Sequence, residues 1–347
     1  MTFHTVPAPR GEPPPIPLGK FDIESIRVAS EHTYAQLVEQ HPSFARIANA
    51  IIPSDTKDVR RALLARSLRL TESMAAEAYR VANEAMRILG VSGTLELYQR
   101  SGPENASMHI VQDPIMVEIH GGLLSKLDER AMLGVFGHEL GHYIAHGRAS
   151  RYHRAHFLIC ALDEIEDNGL QVALSRLSMM GELTADRVGL LVCQDLTAML
   201  RLETASITGL ASHDLTWDTE AYLAQCRDLI EEELRAGPEV RGVTHPEHSL
   251  RAYALWLFSE TREYKEITGR CPGTRNLAEV DSIIAKCFKD DTISAILTLD
   301  HSRLGEPPQE LHECALACAV LVACSDGEMA DEEREEIERL FSSFVPD

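Results

Sequence analysis

His138-Glu139-Leu140-Gly141-His142 is the stretch from which the rest of this chain can be read. On an α-helix, residues four apart lie about 40° apart around the axis and about 6 Å along it, so both imidazoles can face one ion. Glu139 lies about 100° round from His138, a poor position for a ligand but a good one for a carboxylate that takes a proton from water. The helix carrying the motif is expected from about Asp128 to Ala145. Leu133, Phe136, Leu140 and Ile144 fall opposite the histidines, while Gly134, Gly137 and Gly141 line the adjacent flank. Each interior glycine costs about 1 kcal/mol of helix propensity relative to alanine. Three together imply the close approach of another backbone. His146 continues the face one turn further, where a supporting or structural role is expected rather than ligation. The bland alternative is that His138 and His142 are ordinary buried histidines.

A catalytic zinc site needs three protein ligands and an open fourth position. One class supplies a third histidine six residues after the second, preceded by a glycine; here those positions are Arg148 and Ala145, which excludes it. An acidic ligand is required instead. Gly181-Glu182-Leu183-Thr184-Ala185-Asp186 lies in a second expected helix, about Gly169 to Asp195. Glu182 and Asp186 share a small, polar face with Gln171, Ser175, Ser178, Gly189 and Cys193. Packed near the glycine flank, that face would let Glu182 reach the metal while Asp186 orients an imidazole through its other nitrogen. The alternative is an exposed acidic pair.

These two motifs, followed by Thr244-His245-Pro246 and Arg251, resemble the gluzincin metallopeptidases that include HtpX and the CAAX prenyl proteases. The resemblance spans roughly Val91 to Phe258. It implies one Zn2+ per chain held by His138, His142 and Glu182, with Glu139 as catalytic base and Asp186 as a supporting or proton-handling group. It also implies that His245 helps to stabilise the tetrahedral intermediate; the alternative for His245 is a structural histidine at a helix start. Asn105-Ala106 resembles the segment before the family's edge strand, although Ser107 stands where an aromatic residue is more usual. The substrates implied are proteins or peptides. Membrane helices of the kind found in many such enzymes are missing, so prenylated or membrane-embedded substrates are not supported.

Working outward, Phe21 to Gly90 reads as helical and ends in a long amphipathic stretch from Lys57, with Gly90 as the stop. Thr94–Tyr98, Met108–Val111 and Ile115–Ile119 alternate and are separated by Gly102-Pro103 and Asp113-Pro114, which predicts strands of a small sheet. Arg201 to Trp217 has no clear period, whereas Ala221–Arg235 and Pro246–Phe258 read as helices. The fold class expected is mainly α (α+β), a zincin-type domain with a small sheet and an HExxH helix. The domains expected are a proline-rich disordered tail over 1–20, the peptidase over 21–268, and a helical unit over 275–347.

That last unit contains Ala315 to Cys324 followed by Ser325-Asp326-Gly327-Glu328, which resembles the TerB-like domains of tellurite-resistance proteins. Asp331, Glu332 and Glu333 suit a helix N-terminus, and the role expected is protein interaction. A net charge of -21 argues against nucleic acid. No apolar run nears the roughly 18 residues that span a bilayer, the N-terminus lacks a secretory core, and eight scattered cysteines form no C-x-x-C pair. A soluble cytoplasmic protein is therefore expected. A zinc-containing scaffold and a latent peptidase remain the competing readings.

Overall fold

Helices dominate the protein, seen here as a computed structural model that describes residues 14–19, 21–50, 55–111, 113–162, 165, 167–210, 216–236, 248–270 and 272–288. The chain divides into two units, Met1–Leu297 and Thr298–Asp347, and every described element lies in the first. The expected TerB-like segment beyond Phe288 and residue His245 lie outside the described residues.

The chain opens with α1 (Ala29–Gln40), α2 (Phe44–Ala50) and α3 (Thr56–Arg66), then β1 (Leu68–Leu70) and α4 (Ala76–Leu89). The single amphipathic helix expected from Lys57 to Gly90 is thus two helices around a short strand. Leu68-Arg69-Leu70 pairs antiparallel with the next strand, and Arg69 reaches the buried Glu96 at 3.0 Å. That ion pair and the ladder outweigh local helix propensity. Gly90 does end α4, in the left-handed conformation at φ 66°.

Next come β2 (Leu95–Arg100), β3 (Asn105–His109), β4 (Ile115–His120) and the single turn α5 (Leu123–Lys126). The sheet order is β1-β2-β4-β3, with β2 parallel to β4 and β3 antiparallel to β4 on the edge. The outer strand therefore begins three residues earlier than the expected Met108. Alternation sorts the two faces: Leu97, Val117 and Ile119 enter the main core, whereas Tyr98 and Met116 pack with Leu63 on the other side. Glu96 and Glu118 are buried on that second face, each held by a two-pronged arginine contact, from Arg60 and Arg66 respectively.

The motif helix is α6 (Glu129–His146), whose N-cap Asp128 accepts from Ala131 N–H. After α7 (His153–Ile159), the long α8 (Asn168–Cys193) crosses α6, followed by α9 (Leu196–Thr208). Arg201 to Trp217 shows no clear period in the sequence, yet α9 continues through Thr208, with Asp195 capping its start and Gly209 ending it at φ 69°. The described chain ends with α10 (Thr219–Ala236), α11 (His248–Ser259), α12 (Arg262–Ile267) and α13 (Leu277–Phe288).

Two apolar cores share α8. Its C-terminal half, Val188 and Leu190–Cys193, joins the sheet, α4 and α6; its N-terminal half, including Leu174, Leu177 and Met180, packs with α1, α7, α11 and α13. Residues of the expected unpacked tail also dock. Gln194 exchanges two hydrogen bonds with the Ile16 backbone, at 3.1 and 2.8 Å, and Leu18 N–H donates to Ile88 O. Among the described residues, no helix is long and apolar enough to cross a membrane.

Candidate metal centre

The glycine flank does bring a second backbone close. A Cβ on Gly137 would sit 2.7 Å from Val192 Cβ and 3.0 Å from Gly189 Cα, and one on Gly141 would sit 3.0 Å from Ala185 Cα. Small residues on both helices thus let α6 and α8 cross nearly backbone to backbone. The crossing sets His138 and His142 on α6 against Glu182 on α8.

Three donor atoms converge there. His138 Nε2 and His142 Nε2 are 3.1 Å apart, and the Glu182 oxygens lie 3.5 Å from the first and 3.4 Å from the second. Ligands about 2.05 Å from a tetrahedral ion are separated by about 3.3 Å. The three separations bracket that value, so the set fits Zn2+ without rearrangement. Two imidazole nitrogens and one carboxylate oxygen also match the chemistry of a catalytic zinc site with an open position.

The residues around the triad settle protons and charge. Asp186 Oδ1 accepts from His138 Nδ1 at 2.9 Å, which turns His138 Nε2 toward the triad. Arg251 on α11 clamps Asp186 with Nε to Oδ2 at 2.8 Å and Nη2 to Oδ1 at 2.6 Å, and reaches Glu203 on α9 at 3.0 Å. Burial would raise the Asp186 pKa, but Arg251 and His138 outweigh it and hold the carboxyl below its ordinary value. Burial lowers the His142 pKa to about 3, so this ring offers a lone pair at neutral pH. At His138 burial works in the same direction, but the hydrogen bonds to Asp186 and Glu182 prevail and favour positive charge.

Glu139 lies beside the triad with 4% of its surface exposed, and its Oε2 is buried without a hydrogen-bond partner. Burial, opposed by the charge of His138, raises its carboxyl to about 7. Such a group can both take and return a proton near neutrality. It lines a cavity of about 630 Å³ together with His138, His142, Glu182, Arg251 and the β3 residues Asn105 to Met108.

The structure brings His138, Glu139, His142, Glu182 and Asp186 together, with Arg251 against Asp186. Glu203 escaped notice because α9 was not recognised. Glu31 on α1, which accepts from His146 Nε2 and His156 Nε2, was also missed. Its signal was a carboxylate on the apolar face formed by Tyr34, Ala35 and Val38.

The sequence matches the family described as Peptidase family M48 over residues 72–256. It is also similar to the plastoglobule-localized metallopeptidase 48, chloroplastic, of Arabidopsis thaliana. The two are 23% identical over 273 residues, which cover 74% of this chain and 78% of that protein. No solved structure matches.

Proposed function

The chain belongs to peptidase family M48 and is a metal-dependent peptidase; from that premise we propose that it is a zinc endopeptidase acting on protein substrates, with His138, His142 and Glu182 as ligands and Glu139 as general base. The observation that carries the proposal is the convergence of three donor atoms at tetrahedral spacing beside the buried, unpartnered Glu139 Oε2.

Zinc, when bound, supplies Lewis-acid polarisation of the scissile carbonyl and lowers the pKa of a water. Glu139 takes the proton from that water and passes it to the departing amine, a transfer suited to a carboxyl near 7. Asp186 keeps the proton of His138 on Nδ1, and Arg251 keeps Asp186 aimed at it. Strand β3 lies on the sheet edge and lines the cavity, so its outer backbone can pair with an extended peptide whatever its sequence. By resemblance, His245 stabilises the tetrahedral intermediate and the TerB-like segment over 275–347 recruits protein partners. The cytoplasmic location belongs to the same proposal, supported by free cysteines at 160, 193 and 226.

Glu139→Gln tests the assignment. Casein hydrolysis should fall by about 10²- to 10⁴-fold while zinc content by elemental analysis stays at one per chain. A chelator should silence the wild-type protein. A pure Glu139→Gln sample that cleaves casein at the wild-type rate removes Glu139 from its role.

A further inference from the structure

Glu31 lies on α1, 115 residues before His146, and is fully buried. Its Oε1 accepts from His146 Nε2 and His156 Nε2, each at 3.1 Å, and from Arg27 Nη1; its Oε2 accepts from Thr184 Oγ1 at 2.5 Å. A carboxylate surrounded by four donors is acceptor only. His146 must therefore carry a proton on Nε2. With that N–H committed to Glu31, the neutral imidazole offers the lone pair of Nδ1 as its acceptor. His142 Nδ1 lies 3.3 Å from that lone pair and must be the donor. The proton of His142 then sits on Nδ1, and its Nε2 is bare toward His138 and Glu182.

We propose that Glu31 and His146 are positioning residues for the metal: by two successive N–H donations they hold His142 in the tautomer that presents Nε2 to the ion. This rests on the zinc reading above and extends it. His138 obtains the same constraint in one step from Asp186, whereas among the described residues the partner of His142 Nδ1 is itself a histidine, His146. The relay ties α1, far away in sequence, to the crossing of α6 and α8.

The rival use of these residues is a second metal site, since Glu31, His146 and His156 also bring three donor atoms together. Charge argues against it. The guanidinium of Arg27, shared between Glu31 and Glu24, already stands as the cation at Glu31 Oε1, both histidines are accounted for as N–H donors, and their rings stack at 3.6 Å and 18°. A dication added there would be buried against that guanidinium.

Two measurements on the full-length chain test the relay. With ¹⁵N-labelled histidine, ring nitrogen shifts read each tautomer in the wild-type protein, metal-free and zinc-loaded. His146 should be protonated at Nε2 and bare at Nδ1 in both forms, and His142 should carry its proton on Nδ1. A proton on His146 Nδ1 overturns the proposal without any variant having to fold. The second measurement is zinc affinity by chelator competition, with circular dichroism to follow the fold. His146→Leu removes the acceptor and should weaken zinc about 10- to 100-fold, while His146→Asn, whose amide oxygen can accept near the Nδ1 position, should recover most of that loss. Folded His146→Leu with wild-type affinity, or a second zinc equivalent that disappears in His156→Leu, also overturns it. Failure of the zinc reading would look different: no zinc would bind to the wild-type chain, while the metal-free tautomers would still decide the relay.

Discussion

Gly137→Ala asks whether the close crossing of α6 and α8 makes the metal centre. The new methyl would sit 2.7 Å from Val192 Cβ, where carbon atoms in contact need about 3.5–4.0 Å. Val192 cannot yield by rotation, because the clashing atom is its own Cβ. The helices must therefore part by about 1 Å. Overpacking of this kind costs about 1–3 kcal/mol, and alanine regains about 1 kcal/mol of helix propensity, so the net loss of stability is at most about 2 kcal/mol. Ligation suffers more than stability. His138 and Glu182 stand on opposite helices with 3.5 Å between donor atoms, and parting the helices carries that gap beyond what one ion can bridge. Peptidase activity should fall about 10²-fold, with zinc lost at chelator concentrations the wild type tolerates, while urea denaturation shows only a modest shift. Gly134→Ala is the control, because the nearest atom there is Met199 Sδ at 2.5 Å, the far part of an adaptable side chain. It should keep zinc and activity. A Gly137→Ala protein with wild-type zinc affinity and turnover, or a Gly134→Ala protein crippled to the same degree, refutes the reasoning.

Three further outcomes follow from the charge network. Arg251→Gln removes the guanidinium that Asp186 and Glu203 share, leaving Asp186 only His138, and should destabilise the metal-free protein by at most about 3–5 kcal/mol in urea titrations, less when zinc is bound; an unchanged midpoint would remove the clamp from the account. His156, whose pKa burial lowers to about 4, stays neutral in the fold where the unfolded chain protonates near 6.5. Its contribution is therefore present above pH 6.5 and lost as pH falls toward 4, about 3 kcal/mol in all, and His156→Phe should flatten that acid limb in metal-free protein. Glu118 on β4 is buried and held below its ordinary pKa, with burial opposed by Arg66; that contribution is present at neutral pH and lost in acid, so Arg66→Met should destabilise the metal-free protein at pH 7 in urea titrations, and the difference from wild type should shrink as the pH falls through the carboxylate range.

What could be read from the sequence follows the range over which each cause acts. The spacing of His138 and His142, the position of Glu139, and the pairing of Glu182 with Asp186 are properties of one helix each, so a wheel displays them. The convergence of the two helices was also visible, though indirectly, since three glycines on one flank have a use only if another backbone lies against them. The strand Leu68–Leu70 was hidden because three residues carry too little pattern and its partners, the β2 ladder and Glu96, lie beyond α4. Glu31 marks the limit more sharply. Placed among Tyr34, Ala35 and Val38, it announces a buried charge that must find partners. Which partners it finds depends on α1 meeting α8 and the end of α6, and no local period encodes that meeting. A buried carboxylate on an apolar helix face is therefore a prompt to look for unpaired histidines elsewhere in the chain. Here His146 and His156 answer it, and through His146 the same charge reaches His142, the proposed metal ligand.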